Sequence, residues 1–213
     1  MDMDVMAGFG AKQAWLAIAV TEAEPADGAE PADGAEPAGR DAIDQAAVLA
    51  ALGFRDLGTA PWRHGLDLAH LTDDRVVVTP ALPGARNTRW ILAAGRRLIT
   101  HVPDLVALSA LLRTEAQFFA THRVTESHRW QRAVGGDLVR TFGYVGQTGE
   151  VTSWFGDPDP AERDAGLPGD FDPEEGTVLV AERDVFHVAG AWSIDPTTLT
   201  GLAPGPLRIG AAD

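Results

Sequence analysis

His122, Glu126 and His128 are the residues whose types could do chemistry together. Two imidazoles and a carboxylate form a donor set suited to zinc or iron. If one continuous strand carried all three, their shared parity would turn them to one face. The intervening Thr125-Glu126-Ser127 has turn character, and a bend there would break that parity. The other histidines, His64, His70, His101 and His187, make no H-E-x-x-H spacing. A small metal-dependent enzyme using His122, Glu126 and His128 is therefore the second reading of the chain, behind a polar sheet face that bears the same residues.

A second constellation overlaps the first. Arg123, Arg129, Arg132 and Arg140 are interleaved with Phe119, Trp130, Phe142 and Tyr144. Arginine, tryptophan and tyrosine dominate binding hot spots because they offer large area, few torsions and a polar handle. The same alternation is also how an ordinary half-buried strand reads. The favoured expectation is a non-catalytic peptide- or protein-binding module of accessory or immunity type. Its binding residues would be Arg123, Arg129, Trp130, Arg140 and Tyr144. Its sheet edges could accept an extended segment or pair in a homodimer.

Other chemistries are excluded by what their motifs require. Gly143, Gly146 and Gly149 lead into the strand-like Val151–Phe155, whereas a phosphate loop leads into a helix N-terminus. They read as hairpin glycines. Asp170-x-Asp172-x-Glu174 suggests calcium, but an EF-hand needs glycine at its sixth position and glutamate at its twelfth, where this chain has Glu175 and Ala181. Lys12 is the only lysine and has no motif around it, which removes Schiff-base enzymes, P-loop NTPases and protein kinases. No serine sits in G-x-S-x-G. There is no cysteine, hence no disulfide, thiolate metal site or thiol nucleophile. No cofactor is expected.

The elements that must position these residues come next. Residues 12–21 are apolar and β-branched and predict a strand. Asp41 predicts an N-cap and Gly53 a stop for a helix between them. Residues 54–71 are broken by Gly58, Pro61 and Gly65 and read mostly as loop with one short strand. Residues 75–82 and 88–94 predict an antiparallel hairpin, with Pro80 near a strand end. Pro103–Thr114 predicts a helix with Leu105, Leu108, Leu111 and Leu112 on one face. Gln117–Gly156 follows as a meander of three or four strands, turning at Gly135-Gly136 and at 146–149. Residues 157–173 read as loop with short helical turns, 173–180 fit helix or strand, and 181–192 predict a helix. The tail from Pro204 reads as loosely held. Strands grouped rather than alternating with helices indicate an α+β fold, a mainly antiparallel sheet packed by about three helices.

The chain has 213 residues and a formal net charge of −14. That length suits one α+β domain plus a non-globular insertion. The insertion is AEPADG-AEPADG-AEPAG within 22–40, which has no bulky apolar side chain and cannot offset its own ordering entropy. Six acidic residues lie there, so the folded body is less acidic than the total suggests. Such a charge opposes nucleic-acid binding, and an acidic mimic of nucleic acid has little else to support it. Apolar runs fall well short of the roughly 20 residues a membrane span needs. The acidic opening lacks the basic region of a signal peptide. A cytoplasmic protein with no membrane contact is expected.

Two segments carry a resemblance. Arg140–Glu150, with Gly-Tyr-x-Gly-x-x-Gly-Glu at 143–150, and Ala189-Gly-Ala-Trp-Ser-Ile-Asp-Pro196 resemble segments of uncharacterised bacterial proteins of similar length. The resemblance spans about 88–200 and implies a hairpin preceding a terminal helix. It implies no activity and no catalytic residues.

Overall fold

Ala14–Val20 (β1) is apolar at every position because both of its faces are covered. Trp15, Ala17 and Ala19 enter one hydrophobic core, while Ala14, Leu16 and Ile18 enter another. The period-2 geometry of a strand divides them in this way. The computed structural model describes residues 4–20, 43–169, 171–172 and 178–212. The acidic repeat and Asp41 lie outside these residues.

Around β1 the described residues form one antiparallel sheet. Its other strands are Arg55–Ala60 (β2), Arg75–Val78 (β3), Leu82–Pro83 (β4), Arg89–Ala94 (β5), Glu115–His122 (β6), Ser127–Val134 (β7), Asp137–Val145 (β8), Glu150–Phe155 (β9) and Leu207–Ala211 (β10). They run in the order β2-β10-β3-β5-β1-β6-β7-β8-β9, with β4 paired to β5. The sheet is thus larger than a hairpin plus a meander. β3 and β5 pair antiparallel, and β3 ends at Val78 before Pro80, which has no N–H to donate. The four-strand meander is present as β6 to β9, with Gly135 and Gly136 both at positive φ (58° and 100°) in the tight β7–β8 turn.

Six α-helices, rather than about three, cover the sheet: Gln45–Ala51 (α1), Trp62–Leu71 (α2), Arg97–Thr100 (α3), Leu105–Leu112 (α4), Pro160–Asp164 (α5) and Glu182–Trp192 (α6). Trp62 and Ala69 of α2 join Val185, Val188, Ala189 and Trp192 of α6 in the core beneath Trp15 and Trp130. Val48 and Leu49 of α1, Leu98 of α3, and Leu105 and Leu108 of α4 build the core on the opposite face. The result is an antiparallel sheet between two helical layers. Among the described residues no helix is long and apolar enough to cross a membrane.

Three expectations are corrected. Residues 54–71 are not mostly loop, since they form β2 and α2. The tail is not loosely held, because β10 lies between β2 and β3 and pairs with both. The first helix is capped by Asp44, whose side chain accepts from Ala47 N at 2.8 Å. Residues 173–177 are outside the described set, and α6 begins at Glu182, close to its expected start.

Candidate functional site

The meander's side chains are sorted by register. Thr121 pairs with His128 and His128 with Tyr144, so these three share a face. Phe119, Trp130, Phe142 and Trp154 form the next row on that face. The opposite face carries the row Ala14, Ala120, Arg129, Gly143 and Ser153, flanked by the row Leu16, Phe118, Gln131, Thr141 and Phe155. The residues expected on one binding face are therefore divided between two faces and a turn.

Trp130 and Arg140 are interior. Arg140 is 2% exposed and Glu162 is 0% exposed, and Arg140 Nε donates to Glu162 Oε1 at 2.7 Å. Arg140 Nη1 also donates to the carbonyls of Thr141, Phe155 and Gly156, and the guanidinium lies 4.3 Å from the Trp154 ring centre. Trp130 Nε1 donates to the same Glu162 oxygen at 2.6 Å. Asp159 and Glu162 cap α5 reciprocally, and Trp192 Nε1 donates to Asp159. One carboxylate thus joins β7, β8 and α5, and its capping partner extends the network to α6. A buried ion pair needs such additional hydrogen bonds to offset its desolvation. This arrangement fastens the helices to the sheet and leaves Arg140 and Trp130 closed to a partner.

A second carboxylate, Glu115 on β6, collects two arginines. Arg86 grips it with both Nη atoms at 3.0 and 2.8 Å, and Arg132 Nε donates at 2.7 Å. Burial alone would push the Glu115 carboxyl up, but hydrogen bonds from Arg86, Gln117 and Arg132 outweigh it and hold the pKa below the ordinary glutamate value. Arg86 also donates to the carbonyl of Trp192, which closes the C-terminal end of α6.

His122, Glu126 and His128 do not converge. A four-residue turn separates β6 from β7, so His122 pairs with Ser127 while His128 pairs with Thr121. The two imidazoles consequently face opposite sides of the sheet, because the turn breaks the parity that a continuous strand would have kept. Glu126 sits in the turn at φ 49°, against Gly146 of the neighbouring hairpin. His122 Nδ1 is 2.9 Å from Thr125 Oγ1. Among the described residues no group of three or more His, Asp or Glu side chains is placed to hold a metal ion.

His128 and Tyr144 instead line a hollow of about 350 Å³ beside the start of α6, with Glu126, Glu182 and Asp184 around it. Thr121 Oγ1 stands 3.1 Å from His128 Nδ1 and donates to Glu182 Oε1 at 3.3 Å. Burial lowers the His128 pKa, and the carboxylates of Glu182, Asp184 and Glu126 offset only part of that effect. Arg123, exposed in the β6–β7 turn, closes the rim through a 3.2 Å ion pair with Glu182. A larger open hollow of about 610 Å³ lies between Gly8–Ala11 and α2, away from the meander.

Arg129 differs from its neighbours. Among the described residues it has no carboxylate partner, whereas Arg123, Arg132 and Arg140 each have one. Its Nε is enclosed without an acceptor, and its guanidinium lies 5.8 Å from the Phe118 ring centre. Burial pushes its pKa below the ordinary arginine value with no opposing charge. The groove beside it, about 270 Å³, is lined by Ile99, Val102, Phe118, Ala120, His122 and Thr152 among others, and by no carboxylate. Ile99 and Val102 are exposed at its rim.

These groove residues were not visible as a site in the sequence, because they come from the α3–α4 connection and four strands. The one local sign is small residues across the register from Arg129, and register cannot be read from a single chain. No protein-family model, curated protein or solved structure matches this sequence or its fold.

Proposed function

We propose that the protein is a non-catalytic peptide- or protein-binding module working through its 117–156 meander. One observation carries this reading: among the described residues Arg129 is the meander arginine without a carboxylate partner, and it stands in an apolar groove. A half-buried cation left unpaired is costly unless something completes it, so a ligand that supplies an anion gains binding energy there. β9 adds a second element, an edge strand whose Phe155 is 51% exposed and shares the face of Phe118 and Thr141. An extended segment can hydrogen-bond to such an edge while its side chains enter neighbouring grooves. The absence of cysteine fits a reducing cytoplasm.

The test is selection of peptides from a random display library, followed by amide shift mapping of the best binders. Perturbed amides within Gln117–Gly156, with at least tenfold weaker binding after Arg129→Ala, are expected. Binders that perturb only amides elsewhere, or a failure to select any binder, would overturn the proposal.

A further inference from the structure

The groove over Arg129 is built by subtraction. Ala120 and Arg129 line it, and they belong to the cross-strand row Ala14, Ala120, Arg129, Gly143 and Ser153, in which the immediate neighbours of the arginine are an alanine and a glycine. Gly143 cannot be enlarged, because a Cβ there would lie 2.5 Å from Ser153 Oγ and 2.6 Å from Thr152 Oγ1. The β8–β9 register shifts between Gly143 and Tyr144, leaving Thr152 as the extra residue, and it is this bulge that brings both hydroxyls over Gly143. A cation, the Thr152 side chain and an apolar wall therefore line one small space.

From this geometry we infer that the groove captures the free C-terminal carboxylate of a partner peptide whose last side chain is apolar. The inference rests on the binding-module reading and names what that module recognises. Arg129 makes no hydrogen bond within the described residues and its Nε is enclosed, so it is the Nη edge of its planar fork that would meet the two carboxylate oxygens. Thr152 Oγ1 is a further donor beside it. Phe118, Ile99 and Val102 form the surface for the terminal side chain.

Size and charge choose this occupant over others. About 270 Å³ lies just below the roughly 300–1,000 Å³ typical of sites for drug-sized ligands, which suits one terminal residue better than a whole metabolite. An internal Asp or Glu would bring its carboxylate on a short methylene stem and leave the apolar wall unfilled. A C-terminal residue carries carboxylate and apolar side chain on the same Cα, and so fills both. In a chain of net charge −14, a lining without any carboxylate is also the part of the surface least repulsive to an anion.

The experiment uses the full chain and acetylated hexapeptides ending in Leu, Val or Phe, each as the free acid and as the C-terminal amide. Affinities are measured by titration calorimetry and the site is located by amide shifts. At least one free acid is expected to bind tenfold or more tightly than its amide, and Arg129→Gln should reduce that ratio to within twofold. Thr152→Val, an exposed position, should weaken the acid several-fold and leave the amide unchanged, and it serves if Arg129→Gln lowers the unfolding midpoint. Acid and amide binding alike at the meander would overturn the carboxylate inference and leave the binding module standing. A preference for the acid that persists in both variants would also overturn it. No binding by any peptide, together with failure of library selection, would overturn both.

Discussion

Arg140 illustrates how a residue can resemble part of a binding site in sequence and be, with Glu162, a fastening in the fold. With side chains 2% and 0% exposed, neither can meet a partner without unfolding its surroundings. Removing one charge leaves the other buried and uncompensated, which costs about 3–5 kcal/mol, whereas replacing both by apolar residues can be nearly neutral. Glu162→Gln should therefore destabilise by about 3 kcal/mol or more in denaturant titrations, and Arg140→Met with Glu162→Leu should recover only part of that loss, because Trp130 Nε1 and the carbonyls of Phe155 and Gly156 lose their partners. A cost within ~0.5 kcal/mol for Glu162→Gln, the range of ordinary surface changes, would show the network to be dispensable. Glu115 makes a prediction about pH. Its folded-state pKa is depressed from 4.5, so its contribution is complete above that value and is lost as pH falls through the lowered one. Thermal unfolding of the wild type and Glu115→Gln between pH 7 and pH 3 should show a stability gap that narrows as acid is added. A gap independent of pH would contradict the charged role assigned to this side chain.

At the level of elements, glycine and proline explain both the errors and the successes of sequence reasoning. Pro61 and Gly65 break the apolar period of 54–71 and suggest loop. In the fold Pro61 is the N-cap of α2, and Gly65 lets that helix approach the sheet, where a Cβ would lie 3.0 Å from Leu207 Cδ1. Gly210 does the same for α1, since a Cβ there would lie 2.5 Å from Leu49 Cδ2. A glycine chosen for close approach looks identical, in sequence, to one chosen for a turn. β10 was obscured for this reason, though it occupies the interior of the sheet. Truncation after Pro206 should accordingly abolish cooperative thermal unfolding, because β2 loses its strand partner and β3 loses one of two. A sharp transition in the truncated chain would mean that β10 is peripheral. The meander was legible because glycines mark its β7–β8 and β8–β9 turns, whereas the β6–β7 turn has none and places Glu126 in left-handed backbone. The α4 and α6 helices were legible from their apolar spacing.

For the whole molecule, the decisive fact is that helices cover both faces of an antiparallel sheet. Alternating strands suggested one apolar face and one polar, arginine-bearing face, as expected of an antiparallel sheet with one solvated side. Coverage on both faces turns Arg140 and Trp130 inward and places Arg129 on the other side from them. The sequence by itself determined that thiol chemistry is absent for want of cysteine, and it determined the mixed helix and strand content with its mainly antiparallel pairing. It also determined the positions of the meander turns, because glycine and local periodicity act over a few residues. Only the tertiary structure decided which meander arginine has no carboxylate partner among the described residues, where the tail inserts, and that His122 and His128 face apart. Those depend on strand register and on helices distant in sequence. A shift of one residue in register would exchange the two faces. The Gln117–Gly156 meander is thus recognisable from its residues, while the groove over Arg129 exists only once four strands and the α3–α4 connection have come together.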